Sequence, residues 1–286
     1  MSHFSMCEEN GILYFKSLLF EKFSIPHIFS SSRGGVSKGA FSSLNVSLSR
    51  KDKNGNFDTC ENVSENLSSC LKILGKTTAE CTMMHQVHSD IVCRAEKSFR
   101  DFAEAYECDG IYTDKNSKIK ALCVKTADCV PILLYDVNND VACAIHAGWK
   151  GSVSGICANA VRAICEEYDN CRIIAAIGPH ARSCCYEVDD AVYLATKETF
   201  EKNAIDIKHL KECFSEPYLS EGKNRYKANL SQINRIFLES VGVNPCDIDD
   251  VSLCTCCYSD EDGAAFFSHR TSGGFSGTQA SVIAVK

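Results

Sequence analysis

Eight histidines are spread along the chain, and their settings give the first chemical signal. His85 and His88 share the run MHQVHSD, His146 sits in IHAGWKG, His180 in GPHARS and His269 in FSHRTSGG. Three of these lie where an apolar run gives way to glycine or a polar loop, the place from which a rigid scaffold presents side chains to a cleft. His88, Cys129 and His146 make a three-ligand set. Two imidazoles and one thiolate suit zinc, which is borderline-soft, with copper as the second choice. Three protein ligands leave a fourth position to water, as in catalytic rather than closed structural sites, and such water reaches a pKa of about 7. The ligands stand 41 and 17 residues apart along the chain, so only the fold can unite them. Read singly, each has a plainer meaning: a cysteine among apolar neighbours is a small core residue, and a histidine at a strand end is a satisfied polar group.

Other candidates are fewer. Arg270 precedes Gly273 and Gly274, and a guanidinium beside a glycine-rich turn can grip phosphate or carboxylate through two parallel hydrogen bonds. Arg33-Gly34-Gly35 poses the same question, but matches neither a P-loop nor G-x-G-x-x-G. Asp128, next to Cys129, is read either as a group that orients a ligand or moves a proton, or as a turn former. Cys254, Cys256 and Cys257, with Cys184 and Cys185 further back, read as CTC and CC, so no second metal site is expected there. H-E-x-x-H, and H-x-E with P-C-x-x-C, are absent, which excludes the corresponding proteases and deaminases.

The elements that must position these groups follow from periodicity. Residues 12–20 and 25–30 read as strands, 30–45 as a glycine- and serine-rich loop, and 60–74 as a helix stopped by Gly75. Residues 82–93 lead to a turn and strand at 108–113. Two apolar segments, 121–135 and 141–145, flank the turn 136–140 and are expected to pair antiparallel. Residues 151–168, 192–200 and 230–241 read as helices; 173–177, 251–255 and 279–285 read as strands. Strands and helices mix without a βαβ period, so the expected fold is α/β in the α+β sense: one domain over residues 1–286, a mixed sheet layered with helices.

Composition narrows the function classes. The 286 residues carry a net charge of −7 without a dense basic cluster, which argues against nucleic-acid binding. No apolar run reaches the roughly 20 residues of a membrane span, and the opening MSHFSMCEENG lacks a leader pattern. The expected compartment is the cytoplasm, where most of the 19 cysteines would be reduced and buried.

HQVHSD, TADCVPILLYD and HAGWKG, in that order, resemble the signature of the YfiH family, also called the multicopper polyphenol oxidase or laccase-domain family. SSRGGVSKGAFSSLNVS, AAIGPHARSCCYEV, YKANLSQINRIFLESVGV and the run from CTCCYSDEDG to TQASVI extend the likeness over about residues 30–285. The resemblance implies a YfiH-like fold and zinc ligands at His88, the second His of HQVH, and at Cys129 and His146. It puts Arg270 at the first Arg of a Tyr-Arg-Arg motif, where His269 replaces Tyr and Thr271 the second Arg, and Asn45 near the pocket in Ser-Leu-Asn. It implies phosphorolysis of adenosine, inosine, guanosine and methylthioadenosine, and adenosine deamination, with purine nucleosides and phosphate as the small-molecule partners. It also leaves rival readings. One is a copper oxidase of phenols, which needs more histidines than this chain gathers. Another is a metal-free Cys/His hydrolase or amidase, including cell-wall precursor editing. There Cys129 and His146 would be thiolate and base, as in the deamidating bacterial toxins the fold distantly resembles. The last is a zinc-stabilised binding protein.

Overall fold

The computed structural model describes residues 4–98 and 106–286. The chain opens on β1 (Phe4–Glu9) and β2 (Ile12–Ser17), an antiparallel hairpin closed by Asn10-Gly11. Both turn residues have positive φ (52° and 79°), which Asn-Gly accepts at little cost. Residues 12–20, read as one strand, end as a strand at Ser17. The Ser17 hydroxyl accepts a hydrogen bond from the Phe20 amide and starts α1 (Leu18–Lys22). Then follow β3 (His27–Ser30), α2 (Cys60–Ile73), β4 (Cys81–Met83), β5 (Val92–Arg94) and β6 (Gly110–Asp114).

The long apolar segment 121–135 is two strands, not one. β7 (Ala121–Thr126) belongs to one sheet and β8 (Val130–Asp136) to another. Between them the chain crosses from sheet to sheet at Ala127, Asp128 and Cys129. β8 and β9 (Val141–Ala147) pair antiparallel across the expected turn, Asp136 opposite Val141. The helix expected over 151–168 is split into α3 (Trp149–Val153) and α4 (Ile156–Glu167). Gly155 breaks it with φ of 76°, and a Cβ there would stand 2.9 Å from the Phe237 ring.

After β10 (Ile173–Ile177) come β11 (Glu187–Asp189), α5 (Asp190–Lys202), α6 (Leu210–Cys213), β12 (Tyr218–Ser220), β13 (Lys223–Lys227) and α7 (Leu230–Ser240). The chain ends with β14 (Ile248–Asp250), the small hairpin β15 (Ser259–Asp260) and β16 (Gly263–Ala264), α8 (His269–Ser272), and β17 (Gln279–Ala284). The strand expected at 251–255 lies earlier, as β14. Beyond it the chain keeps only an isolated bridge between His180 and Cys254.

The first sheet runs β1-β2-β3-β17-β7-β4 and the second β14-β10-β8-β9-β6-β5. Period-two alternation sorts their side chains into layers. Phe15, Leu122 and Val124 of the first sheet meet Leu133, Tyr135, Ala142 and Ala144 of the second. Ile12, Tyr14, Cys123 and Val282 turn outward against Leu67 and Leu71 of α2. Ile132, Leu134, Cys143 and Ile145 pack under α4 and α7. The fold is a mixed α/β architecture of two stacked sheets between helices. Among the described residues no helix is long and apolar enough to cross a membrane.

One packed joint makes stability depend on pH. His27 is fully buried; its Nε2 accepts from the Ser17 amide at 2.8 Å and its Nδ1–H donates to Ile25 O at 2.8 Å. Burial, with a smaller push from Lys16, depresses its pKa from 6.5 to about 4. The folded state therefore binds fewer protons, so its stability is full above pH ~6.5 and is lost as pH falls toward 4. The loss should approach about 3 kcal/mol. Thermal melts at pH 7.5 and 5.0 should show this slope, and His27→Gln should flatten it. Equal slopes in both proteins would remove His27 as the cause.

Candidate metal centre and its pocket

His88, Cys129 and His146 come from three parts of the chain and meet where the two sheets join. His146 lies near the end of β9, Cys129 in the crossing between β7 and β8, and His88 in the loop after β4. His88 has φ of 61°, a backbone state that a residue with a Cβ adopts at a cost of about 1–3 kcal/mol unless its surroundings impose it. Asp109 imposes it. This fully buried carboxylate accepts hydrogen bonds from the amides of Val87 (3.2 Å), His88 (3.1 Å) and Ser89 (2.6 Å) and from the Ser89 hydroxyl (2.8 Å). It also accepts from Nδ1 of His146 at 2.7 Å, leaving Nε2 as that ring's free donor atom. Asp109 thus sets the loop carrying one imidazole and the tautomer of the other.

The ligand atoms of the three residues all lie within 4.8 Å of one another. Cys129 Sγ is 4.0 Å from His88 Nε2, and the two imidazole rings stand 4.8 Å apart at 86°. Gly148 leaves them room: a Cβ there would sit 2.8 Å from His88 Cδ2, 3.4 Å from Cys129 Sγ and 3.6 Å from His146 Cε1. Two imidazoles and a thiol around a cradle that one methyl would fill, with a carboxylate behind one imidazole, suit a metal ion. The electrostatics agree. Burial alone would raise the Cys129 thiol, but His146 and His88 beside it hold it below its ordinary range. Burial opposes charge on His146, and Cys129, then Asp109, raise it nevertheless. Burial is likewise outweighed at Asp109, where the His146 and Ser89 donors bring the carboxyl down to about 2.

His88, Cys129 and His146 line a pocket of about 880 Å³ that also holds His85, Arg50, Lys125, Tyr186, His269 and Arg270. Arg270 lies in α8 with its guanidinium 5.0 Å over the Tyr186 ring, and it donates to Glu187 O at 3.2 Å. His269 Nδ1 is 3.2 Å from the Arg50 guanidinium. Cationic side chains therefore gather on the wall made by 46–50 and α8.

Three residues weighed from the sequence are held by other groups in the fold. Asn45 does not line the pocket. It is fully buried, and its amide is consumed by Ser47 O (2.9 Å), Asp58 Oδ2 (2.9 Å), the Ser47 amide (3.1 Å) and the Thr278 amide (3.0 Å). It shapes the wall from behind. Asp128 does line the pocket, but its oxygens are taken: Oδ1 accepts from Thr255 Oγ1 at 2.6 Å, and Oδ2 from Ser268 Oγ at 3.0 Å and the Arg270 amide at 2.7 Å. Its φ of 84° is the turn reading, and its role is to anchor the segment that carries Arg270. Arg33 lies outside the pocket, paired to both oxygens of Asp260 (2.9 and 2.7 Å). Sequence reasoning missed Asp109, whose only signal was an acid before the apolar run GIYT, and Gly148, visible in HAGW as a glycine touching a candidate ligand. Arg50 and Lys125 carried no signal in spacing.

Four of the cysteines at which no second metal site is expected from the sequence also come together. Cys184, Cys185, Cys254 and Cys257 bring their sulfurs within 4.8 Å of one another, a second group able to hold a metal ion.

Over residues 26–286 the chain matches the family described as multi-copper polyphenol oxidoreductase laccase. The chain belongs to this family. A Bacillus subtilis protein named purine nucleoside phosphorylase YlmD is 29% identical over 266 residues, covering 90% of this chain and 87% of that protein. A Geobacillus stearothermophilus protein of the same name is 31% identical over 261 residues, covering 88% and 87%. The crystal structure of a Bacillus licheniformis hypothetical protein, YfiH, superposes with a TM-score of 0.81 at 28% identity over 99% of each chain. This laccase-domain chain offers little for several coppers. Among its described residues, only one of the two groups able to hold a metal ion contains histidine.

Proposed function

We propose that this chain is a zinc-dependent purine nucleoside enzyme. It cleaves adenosine, inosine, guanosine and methylthioadenosine with phosphate and deaminates adenosine, and residues 1–286 act as one catalytic domain. The observation that carries the reading is the convergence of His88, Cys129 and His146 within 4.8 Å in a pocket of nucleoside size whose facing wall is cationic. The names of the relatives supply the substrate class.

A zinc ion held by His88, Cys129 and His146 would supply Lewis-acid activation of water at neutral pH. The remaining work falls to the chain's own side chains. Arg270, steadied by Tyr186 and Glu187, grips phosphate through its planar fork and aims it at the sugar C1′. Arg50 adds a second positive charge on the same wall. The phosphate oxygen attacks C1′ as the purine leaves, and the bound anion stabilises the positive charge developing on the ribose. Asp109 holds His146 in one tautomer, and Asp128 positions α8.

The test is metal analysis beside a nucleoside panel run with and without phosphate. Free base should appear only with phosphate, and inosine should form from adenosine without it. Cys129→Ala should lose about one equivalent of zinc per chain and its deaminase activity. A Cys129→Ala protein with full zinc and full turnover would sink the proposal. Turnover in metal-free protein that thiol alkylation abolishes would favour the Cys/His hydrolase reading, and O2 uptake by copper-loaded protein the oxidase reading.

A further inference from the structure

We infer that Cys184, Cys185, Cys254 and Cys257 bind a second zinc ion in a closed, purely structural tetrathiolate site outside the pocket. Their four sulfurs lie within 4.8 Å of one another, and those of Cys184 and Cys257 are 3.6 Å apart. Zinc–sulfur bonds of about 2.3 Å, directed tetrahedrally, place sulfurs roughly 3.8 Å apart. The cysteines of an iron–sulfur cluster must stand apart by the width of several metal and sulfide atoms, and this group is too tight for that. Two disulfides would bring sulfurs together in pairs; here all four converge on one point.

The backbone supports the same reading. Cys254 and Cys257 stand at C-x2-C spacing, which the CTCC run conceals because Cys256 fills the gap. Cys256 is directed elsewhere, its sulfur 3.5 Å from Asp128 Oδ1 and 3.5 Å from Ser268 Oγ. On the other loop the Cys185 amide donates to Arg182 O at 2.8 Å and the Tyr186 amide to the same oxygen at 2.7 Å. This tight turn presents Cys184 and Cys185 side by side. Four ligands of one kind leave no open position, which marks a structural rather than a catalytic site.

The location supplies the purpose. β10 and β14 are parallel neighbours, and the loops leaving their C-terminal ends are joined by little backbone pairing beyond His180 and Cys254. One loop carries Tyr186 into the pocket wall; the other carries Thr255 and Cys256 to Asp128. A metal clip across them fixes that wall from outside.

The test uses full-length protein purified anaerobically with reductant from zinc-supplemented cells. About two zinc ions per chain are expected by mass spectrometry, falling to about one in Cys254→Ser and in the double variant Cys184→Ser/Cys257→Ser. Cys256→Ser, the control beside the cluster, should keep both. Cys129→Ala should keep about one, so loss of the pocket metal and loss of this one are read separately. Where a serine variant fails to fold, Cys129→Ala titrated with Co²⁺ answers instead. Strong sulfur-to-cobalt charge-transfer bands of a tetrahedral thiolate site are expected, and they should vanish on zinc addition. A Cys129→Ala protein that binds no zinc and gives a flat cobalt titration overturns the inference. So does iron as the resident metal, or a Cys184–Cys257 disulfide that persists under reductant.

Discussion

Asp109→Asn should lower zinc affinity by about 10–100-fold and turnover of nucleosides by a similar factor, although Asp109 reaches neither substrate nor metal. The carboxylate accepts from three consecutive amides, a hydroxyl and the His146 ring. Asparagine keeps one acceptor oxygen and turns the other into an NH2, which must then face N–H donors. The His88 loop loses what holds its positive φ, and His146 loses what fixes its tautomer. The cost should also show in stability, at about 3 kcal/mol for breaking a buried charged pair. Zinc titration, steady-state kinetics and a thermal melt read the three effects. Zinc affinity and turnover within twofold of the parent protein would show that Asp109 organises neither imidazole.

Gly148→Ala should separate activity from stability. Gly148 has φ of −63° and lies before α3, so its backbone state suits alanine, and replacing glycine there is neutral or stabilises by up to about 1 kcal/mol through the unfolded chain. The new methyl carbon, however, would lie 2.8 Å from His88 Cδ2. His88 must swing away, and a displacement near 1 Å at a reacting centre costs about 100-fold in rate. The expected result is an unchanged or slightly raised melting temperature with a loss of about 100-fold in kcat/KM and weakened zinc binding. Full activity would mean that the cradle relaxes freely and does not set the ligand geometry.

The sequence carried much of this, unevenly. The ligand candidates were legible because histidine and cysteine at the ends of apolar runs are chemically loud, and helices such as α2 and α7 announced themselves by their period. Boundaries were harder. Segment 121–135 looked continuous because both strands it contains are largely buried on both faces, so only Lys125, Thr126 and Asp128 marked the crossing. Ser17 ended β2 by capping α1, a tertiary choice that an apolar run does not reveal. The Asn-Gly turn that pairs β1 with β2 was a readable signal that went unused. Asn45 misled for a physical reason: an amide has four hydrogen-bonding positions, and here backbone and carboxylate groups fill all of them. The cysteine cluster was hidden because half its members come from a loop some 70 residues away (184 to 257 spans 73), and proximity of that kind is written only in the fold.

β17 has a consequence for how the protein is made. This strand, residues 279–284, lies between β3 and β7 in the middle of the first sheet. During synthesis β3 and β7 therefore wait, each with an unpaired edge, until residues 279–284 have left the ribosome. Until then half of the sheet stack offers open strands to any neighbour. A chain without residues 279–284 would have a gap in the centre of this sheet instead of a frayed edge.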